Sequence, residues 1–302
     1  MDFTKPARTW DEQIELLRSR GLHIPDQVQA SHYLAHINYY RLTGYWLPFE
    51  ADHGTHQFQA QASFEDVLNL YIFDREFRLL LLDAIERIEV SLRAQWAYHM
   101  AHRHGPHSYL DAGHATDLTL HARHLAKLLD EISRADEIFI QHYHRTYRHP
   151  ASPPVWVVSE IMSLGMLSRW ITHMVPSDRA ALARVYGLDQ GVLKGFVHHL
   201  THVRNLCAHH GRVWNRRFTV TMPIPRRKPA GLVSSFNPQR HRAVYNTVVM
   251  LAALMDIVSP GNLWKVRLHD LLSRHRINAT AMGFPEDWQQ RPVWVELQEK
   301  NQ

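Results

Sequence analysis

Apolar residues recur at three- and four-residue steps over long tracts of this chain, which is the period of an α-helix with one buried face. Between Ser63 and Met100 the step is carried by Phe64, Val67, Leu68, Tyr71, Ile72, Phe77, Leu80, Leu81, Ala84, Ile85, Ile88, Val90 and Leu92. A central bundle helix is expected there, opened by Ser63 and Asp66 in the form of a capping box. A second helical pattern runs from about Leu118 to Tyr147, and a third from Leu193 to His209 with Gly211 as a stop signal. Pro153 and Pro154 end one element and start another over Trp156 to Met174. Helix returns over Asn246 to Val258, and a short helix from Trp264 precedes an irregular end containing Pro285 and Pro292. Only Arg217 to Ile224 (RFTVTMPI) alternates with period two, so a short β-hairpin or extended arm is expected near 217–224, kept short by Pro223, Pro225 and Pro229. The fold class is all-α: a helical core over 61–260, an N-terminal helical extension over 1–60 packed on it, and a C-terminal helix with an irregular tail over 261–302.

Composition narrows the setting. A chain of 302 residues buries a self-sufficient core, and its single cysteine, Cys207, rules out an intrachain disulfide and a thiolate-rich zinc site. The longest apolar run, Val244 to Val258, is interrupted by Tyr245, Asn246 and Asp256 and reads as a core helix rather than a membrane span. With a charged N-terminus, the expected place is the cytoplasm, with no membrane partner.

Charge changes the picture more. Between Gln190 and Met255 there is no Asp or Glu, while Lys194, Arg204, Arg212, Arg216, Arg217, Arg226, Arg227, Lys228, Arg240 and Arg242 supply ten positive charges. Set against the net +5 of the chain, the remaining residues sum to −5. A basic face of this kind fits a polyanion, RNA or DNA ahead of anionic lipid.

The chemistry sits in the same window. On a helical wheel Leu193, Phe196, Leu200, Val203 and Cys207 share one side within about 60°. His198, His202, Asn205 and His209 share the opposite side, a stripe of three imidazoles and an amide with no Lys or Glu in it. Imidazole takes and gives protons near neutral pH, and arginine holds a phosphate through paired hydrogen bonds. Together they suit metal-independent RNA scission: an imidazole takes the ribose 2′-OH proton and Arg204 offsets the charge on the phosphate. On an ideal helix Arg204 lies about 140° from His209, so convergence needs a loosened helix end, a swung guanidinium or a second chain. His198 and His202 also have the spacing of a zinc pair, but the Glu that follows the first His in metalloprotease helices is His199 here. No metal or cofactor is expected.

Four ordered blocks then resemble a known family: INYYRLTGYWLPF at 37–49, FDREFRLLLLDAIERIEVSLR at 73–93, PPVWVVSEIMSLGMLSRW at 153–170 and RNLCAHHGRVWNR at 204–216. They are similar to the Abi-like (abortive infection bacteriophage resistance) family, which is related to HEPN-type ribonucleases. The HEPN signature is an Arg, a polar residue, and a His four to six positions beyond the Arg; Arg204, Asn205 and His209 match it, and His210 also meets the spacing. The resemblance implies a HEPN-like helical bundle that forms a homodimer to bring two motifs together, an endoribonuclease used in phage defence, and control by an inhibitory small RNA or an antitoxin. Under it Arg204 is the phosphate clamp, His209 the general base or acid, Asn205 an orienting partner and His210 the reserve histidine. His198, His202, Arg212, Arg216, Arg217, Arg226, Arg227 and Lys228 are the expected RNA contacts. A non-catalytic protein that sequesters a structured RNA needs the same charge, and a purely structural bundle is a third reading. Glu86, Arg87, Glu89 and Arg93 read as helix-face ion pairs, and Tyr39, Tyr40, Arg41, Tyr45 and Trp46 as a packed aromatic corner.

Overall fold

The computed structural model describes Asp2 and residues 6–295, and the last residues of the expected irregular tail, 296–302, lie outside the described part. Among the described residues, helices account for nearly all regular structure, together with one small two-stranded sheet. The chain is therefore all-α, and it divides into two compact units.

The first unit comprises residues up to Arg78 with Asp270–Ile277. It contains α1 (Trp10–Ser19), α2 (Gln27–His36), α3 (Tyr39–Trp46), the strands β1 (Glu50–Asp52) and β2 (Gln57–Phe58), and the start of α4 (Phe64–His104). α1 opens on a capping box: the Thr9 hydroxyl accepts from the Glu12 amide, and Glu12 accepts from the Thr9 amide at 2.7 Å. The Ser63–Asp66 pair does the same for α4, with Ser63 N donating to Asp66 Oδ2 at 3.0 Å and Asp66 N donating to Ser63 Oγ at 3.1 Å. The aromatic corner is present: Tyr39 meets Trp46 edge-on at 4.9 Å between ring centres, and Tyr45 buries its ring while donating its hydroxyl to Asp74 at 2.7 Å. Asp74 also pairs with Arg78 one helical turn on, so this buried carboxylate is answered.

The second unit runs over Leu79–His269 and resumes at Asn278. It holds the rest of α4, then α5 (Leu118–Arg134), α6 (Ile138–Thr146), α7 (Val155–Ile161), α8 (Leu164–His173), α9 (Pro176–Val185), α10 (Gln190–Ala208), α11 (Ala230–Ser235), α12 (Tyr245–Val258) and the first part of α13 (Trp264–Arg274). α12 is buried on almost every side, which explains an apolar sequence without a polar stripe. α10 packs on α8 and α9. Of the ion pairs expected on α4, Arg93–Glu89 forms at 2.8 Å, whereas Arg87 pairs with Asp83 at 3.1 Å, a partner the sequence reading did not name.

Two expectations are corrected, and a third is resolved between its alternatives. The tract Leu118 to Tyr147 is two helices, because Ala135 and Glu137 are extended at the join and Asp136 and Glu137 put negative charge at the start of α6. Trp156 to Met174 is likewise broken: Met162 and Ser163 are extended, and Ser163 caps α8 by accepting from the Met166 amide at 3.2 Å. Of the two forms expected at 217–224, the extended arm is found and the hairpin is not; the one hairpin among the described residues is β1–β2. The arm's backbone groups are answered from outside a ladder, by Arg242 O to the Phe218 amide at 2.8 Å and by His199 Nδ1 to Val220 O at 2.7 Å.

Candidate active site

Along α10 the apolar stripe lies where the spacing puts it, with Leu193, Phe196, Leu200, Val203 and Cys207 all buried. The opposite stripe faces outward: His198, Asn205 and His209 are exposed and His202 is half-buried. The helix then ends in a tight reversal. The amide of Gly211 donates to Leu206 O at 2.8 Å and that of His210 to Cys207 O at 3.0 Å, the paired bonds of a Schellman cap. His210, not the glycine, takes the left-handed position, with φ 57°. Gly211 is needed for a different reason: a Cβ on it would sit 2.3 Å from Leu206 Cδ1 and 3.2 Å from Leu206 O. The reversal leaves His209 at the open end of the helix and His210 exposed beside it.

Arg204 is half-buried and its Nη1 donates to Asn205 Oδ1 at 3.2 Å, so the first two residues of the motif are physically joined. Among the described residues no hydrogen bond links the Arg204 guanidinium to the His209 imidazole. The neighbourhood is not free of acid in space. Burial raises the Glu89 carboxyl of α4 above its ordinary value, while the charges of Arg93 and Arg204 pull it back down, so this carboxylate lies within electrostatic reach of the guanidinium. No linear signal could have joined residues this far apart in the chain; Glu89 had the look of an ordinary helix-face pair.

His199 was also missed as a structural residue. It is buried, and its Nδ1 lies 2.7 Å from Val220 O and its Nε2 2.8 Å from Thr247 Oγ1. A carbonyl only accepts, so Nδ1 carries the hydrogen and Nε2 accepts from the threonine hydroxyl. Burial pushes this imidazole down to about 4, so it is neutral and structural, tying α10 to the arm and to α12. His202 is depressed as well, by burial first and then by the charges of Arg216 and His198.

The expected RNA contacts fall into two groups. The arm doubles back along α10: Val220 meets His199, Pro223 lies against Gly195, where a Cβ would be 2.2 Å from Pro223 Cδ, and Pro229 comes within 3.7 Å of a Cβ on Gly187. Arg212 and exposed Arg216 therefore stay near His202 and the helix end. Exposed Arg226, Arg227 and Lys228 lie at the other end of a helix whose 19 residues span about 28 Å, and exposed Arg217 starts the arm between them. Among the described residues, no group of three or more His, Cys, Asp or Glu side chains is arranged to hold a metal. None of the described helices is long and apolar enough to cross a membrane.

The family model of the Abi-like proteins matches residues 32–215, well over half of the chain. The chain belongs to the Abi-like protein family. No curated protein and no solved structure matches it. The Abi-like match takes in Glu89, Arg204, Asn205, His209, His210 and Arg212, and it stops before Arg216 and the arm. The family's name connects the chain with abortive infection, and so with phage defence.

Proposed function

We propose that this Abi-like protein is a metal-independent endoribonuclease of HEPN type that acts in phage defence from the cytoplasm. The observation that carries the reading is the open C-terminal end of α10, where joined Arg204 and Asn205 precede exposed His209 and His210 within one helical turn and its cap. His209 takes the proton of a ribose 2′-OH, and the alkoxide attacks the adjacent phosphorus. The bond to the 5′-oxygen breaks, that oxygen is protonated, and a 2′,3′-cyclic phosphate remains. Arg204 balances the charge on the phosphate oxygens, with Asn205 holding its guanidinium. Arg212, Arg216, His198 and His202 take the flanking phosphates. A homodimer brings a second Arg204 and His209 to the same cleft and removes the angular gap between them, and an inhibitory RNA or antitoxin holds the toxin in check.

A non-catalytic RNA binder is the second reading, favoured by the fact that Arg204 is already engaged by Asn205. Induction of the chain in cells, compared with Arg204→Ala and His209→Ala variants of unchanged circular dichroism, separates the two. The enzyme predicts cyclic or 3′-phosphate ends on the cleaved RNA, activity in the presence of a chelator, and loss of roughly 100- to 10,000-fold in rate for His209→Ala with RNA affinity retained. Full toxicity in the folded double variant, or strict dependence on magnesium, defeats the mechanism.

A further inference from the structure

The aromatic corner of the first unit is only partly core. On α3 the inward positions Leu42, Tyr45 and Trp46 are buried, while Tyr40 keeps 75% of its surface in solvent and Arg41 beside it is exposed. A lone exposed tyrosine is ordinary on a protein surface. This one ends a row of rings: buried Trp46 meets Tyr39 edge-on at 4.9 Å between ring centres, and Tyr39 meets Tyr40 edge-on at 6.2 Å. A guanidinium from another helix joins the row, for Arg20, the C-cap of α1, donates from Nη1 to the Tyr39 hydroxyl at 3.1 Å. The backbone beneath Tyr40 is held as well. Asn38 takes a positive φ of 36°, its Oδ1 accepts from the Tyr40 amide at 2.8 Å, and the Thr43 hydroxyl donates to Tyr40 O at 2.7 Å.

Charge gives the corner a sign. From Gln27 to Phe49 the chain has no Asp or Glu, so α2 and α3 carry one full charge, Arg41, and two imidazoles, His32 and His36. Of the acids that bracket this stretch, Asp26 caps the start of α2, accepting from the Gln29 amide at 2.9 Å. Glu50 is buried and accepts from His53 Nδ1 at 2.7 Å and His56 Nδ1 at 3.1 Å. An exposed ring on a fixed base, with Arg41 next to it and Arg20 on the ring behind it, suits an occupant that is both flat and anionic.

We propose that this corner of α3 is a stacking platform for an unpaired stretch of a nucleic-acid strand: a base lies on the Tyr40 ring, and Arg41 and Arg20 take the adjoining phosphates. Every base has a π-face, so aromatic rings flanked by arginine hold single strands with little regard to sequence. A duplex keeps those faces inside its own stack, which is why the occupant is single-stranded. That the strand is RNA rests on the function proposed above; the platform itself asks only that the bases be free. It lies in the first unit and α10 in the second, so the two sites share no residue.

Fluorescence anisotropy on the full chain carrying His209→Ala, which removes the proposed base and keeps the RNA whole, tests this. The probes are a labelled single-stranded oligoribonucleotide and a blunt RNA duplex of the same length. Tyr40→Ala, at a position too exposed to disturb the core, should weaken the single strand by roughly 5- to 100-fold and leave the duplex unchanged. Tyr40→Phe keeps the stacking face and should bind as the parent does, while Arg41→Ala should weaken the strand several-fold. A 4-thiouridine strand should crosslink to the tryptic peptide 21–41, which holds Tyr40. Single-strand affinity untouched by Tyr40→Ala, an equal loss for the duplex, a loss in Tyr40→Phe as large as in Tyr40→Ala, or no crosslink in that peptide overturns the platform. A strand that crosslinks there yet is returned uncut by the chain with His209 intact defeats the cleavage reading and leaves the platform standing.

Discussion

Around Asp178, the imidazoles of His99 and His104 meet a carboxylate that has no solvent exposure; along the outer face of α10, among the described residues, His198, His202 and His209 meet none. The first arrangement is closed. Asp178 Oδ1 takes His99 Nε2 and Arg103 Nη1, each at 3.1 Å, and Oδ2 takes His104 Nε2 at 2.8 Å, so the end of α4 is fastened to the first turn of α9. Burial by itself would raise the Asp178 carboxyl, but these hydrogen bonds and charges outweigh it and hold the group below its ordinary value. The second arrangement is open at exposed His198 and His209, whereas Nε2 of half-buried His202 is shielded from solvent. The same residue type thus fastens helices where a buried carboxylate answers it and offers proton chemistry where nothing does. His199 shows the contrast within one helix, since it lies beside His198 in sequence and is answered on both ring nitrogens.

Breaking the closed side has the largest expected effect. Asp178→Asn leaves Arg103 and two imidazoles without their carboxylate, and a loss of about 3 kcal/mol in urea unfolding is expected, by analogy with other buried pairs missing one partner. A loss below about 1 kcal/mol would mean the cluster is ornamental.

Acid should act next, through His199. Its folded value of about 4 lies below the unfolded 6.5, so the unfolded chain binds more protons in between and stability falls as the pH drops through that window. The interval corresponds to roughly 3 kcal/mol when fully traversed. His124, His173 and His202 are depressed in the same sense and deepen the fall. In His199→Gln the slope between pH 6.5 and 4 should flatten; an unchanged slope assigns the acid sensitivity elsewhere.

Gly195→Ala perturbs the open side at the arm. A methyl there meets the rigid ring of Pro223, and overpacking of this kind costs about 1–3 kcal/mol unless the arm moves. Trypsin should then cut at Arg217, Arg226 or Arg227 sooner than in the parent chain, and equal digestion times would show that the arm is not held at this contact. The smallest effect belongs to His210→Gly, which relieves the left-handed residue of the cap and should raise stability by about 1 kcal/mol. It also sharpens the assignment of the general base: activity retained in His210→Gly and lost in His209→Ala puts the proton transfer on His209.

The family match and the helical class rest on features that neighbours in sequence carry by themselves. The buried face of α10, the Ser63 cap of α4 and the stop after His209 all follow from side-chain spacing and local hydrogen bonding, so the residues spell them directly. The breaks at 135–137 and at Met162–Ser163 were missed because a cap that serves the second helix looks, in an apolar period, like one more polar position. At 217–224 the residues allowed a hairpin or an extended arm, and only packing chose the arm: a strand needs a partner, and here His199 and Arg242 answer the backbone instead.

What the sequence by itself determined is the helical architecture, the outward stripe with its Arg204-Asn205-His209 motif, and the absence of acids along that stretch of chain. What only the tertiary structure decided is which groups have a partner: Thr247 on His199, Asp178 beneath His99 and His104, and nothing on the indoles of Trp96 and Trp170. The reason is physical. A helix period fixes the direction in which a side chain leaves its own backbone, whereas its partner arrives from a segment tens to hundreds of residues away, placed by packing that no local rule encodes.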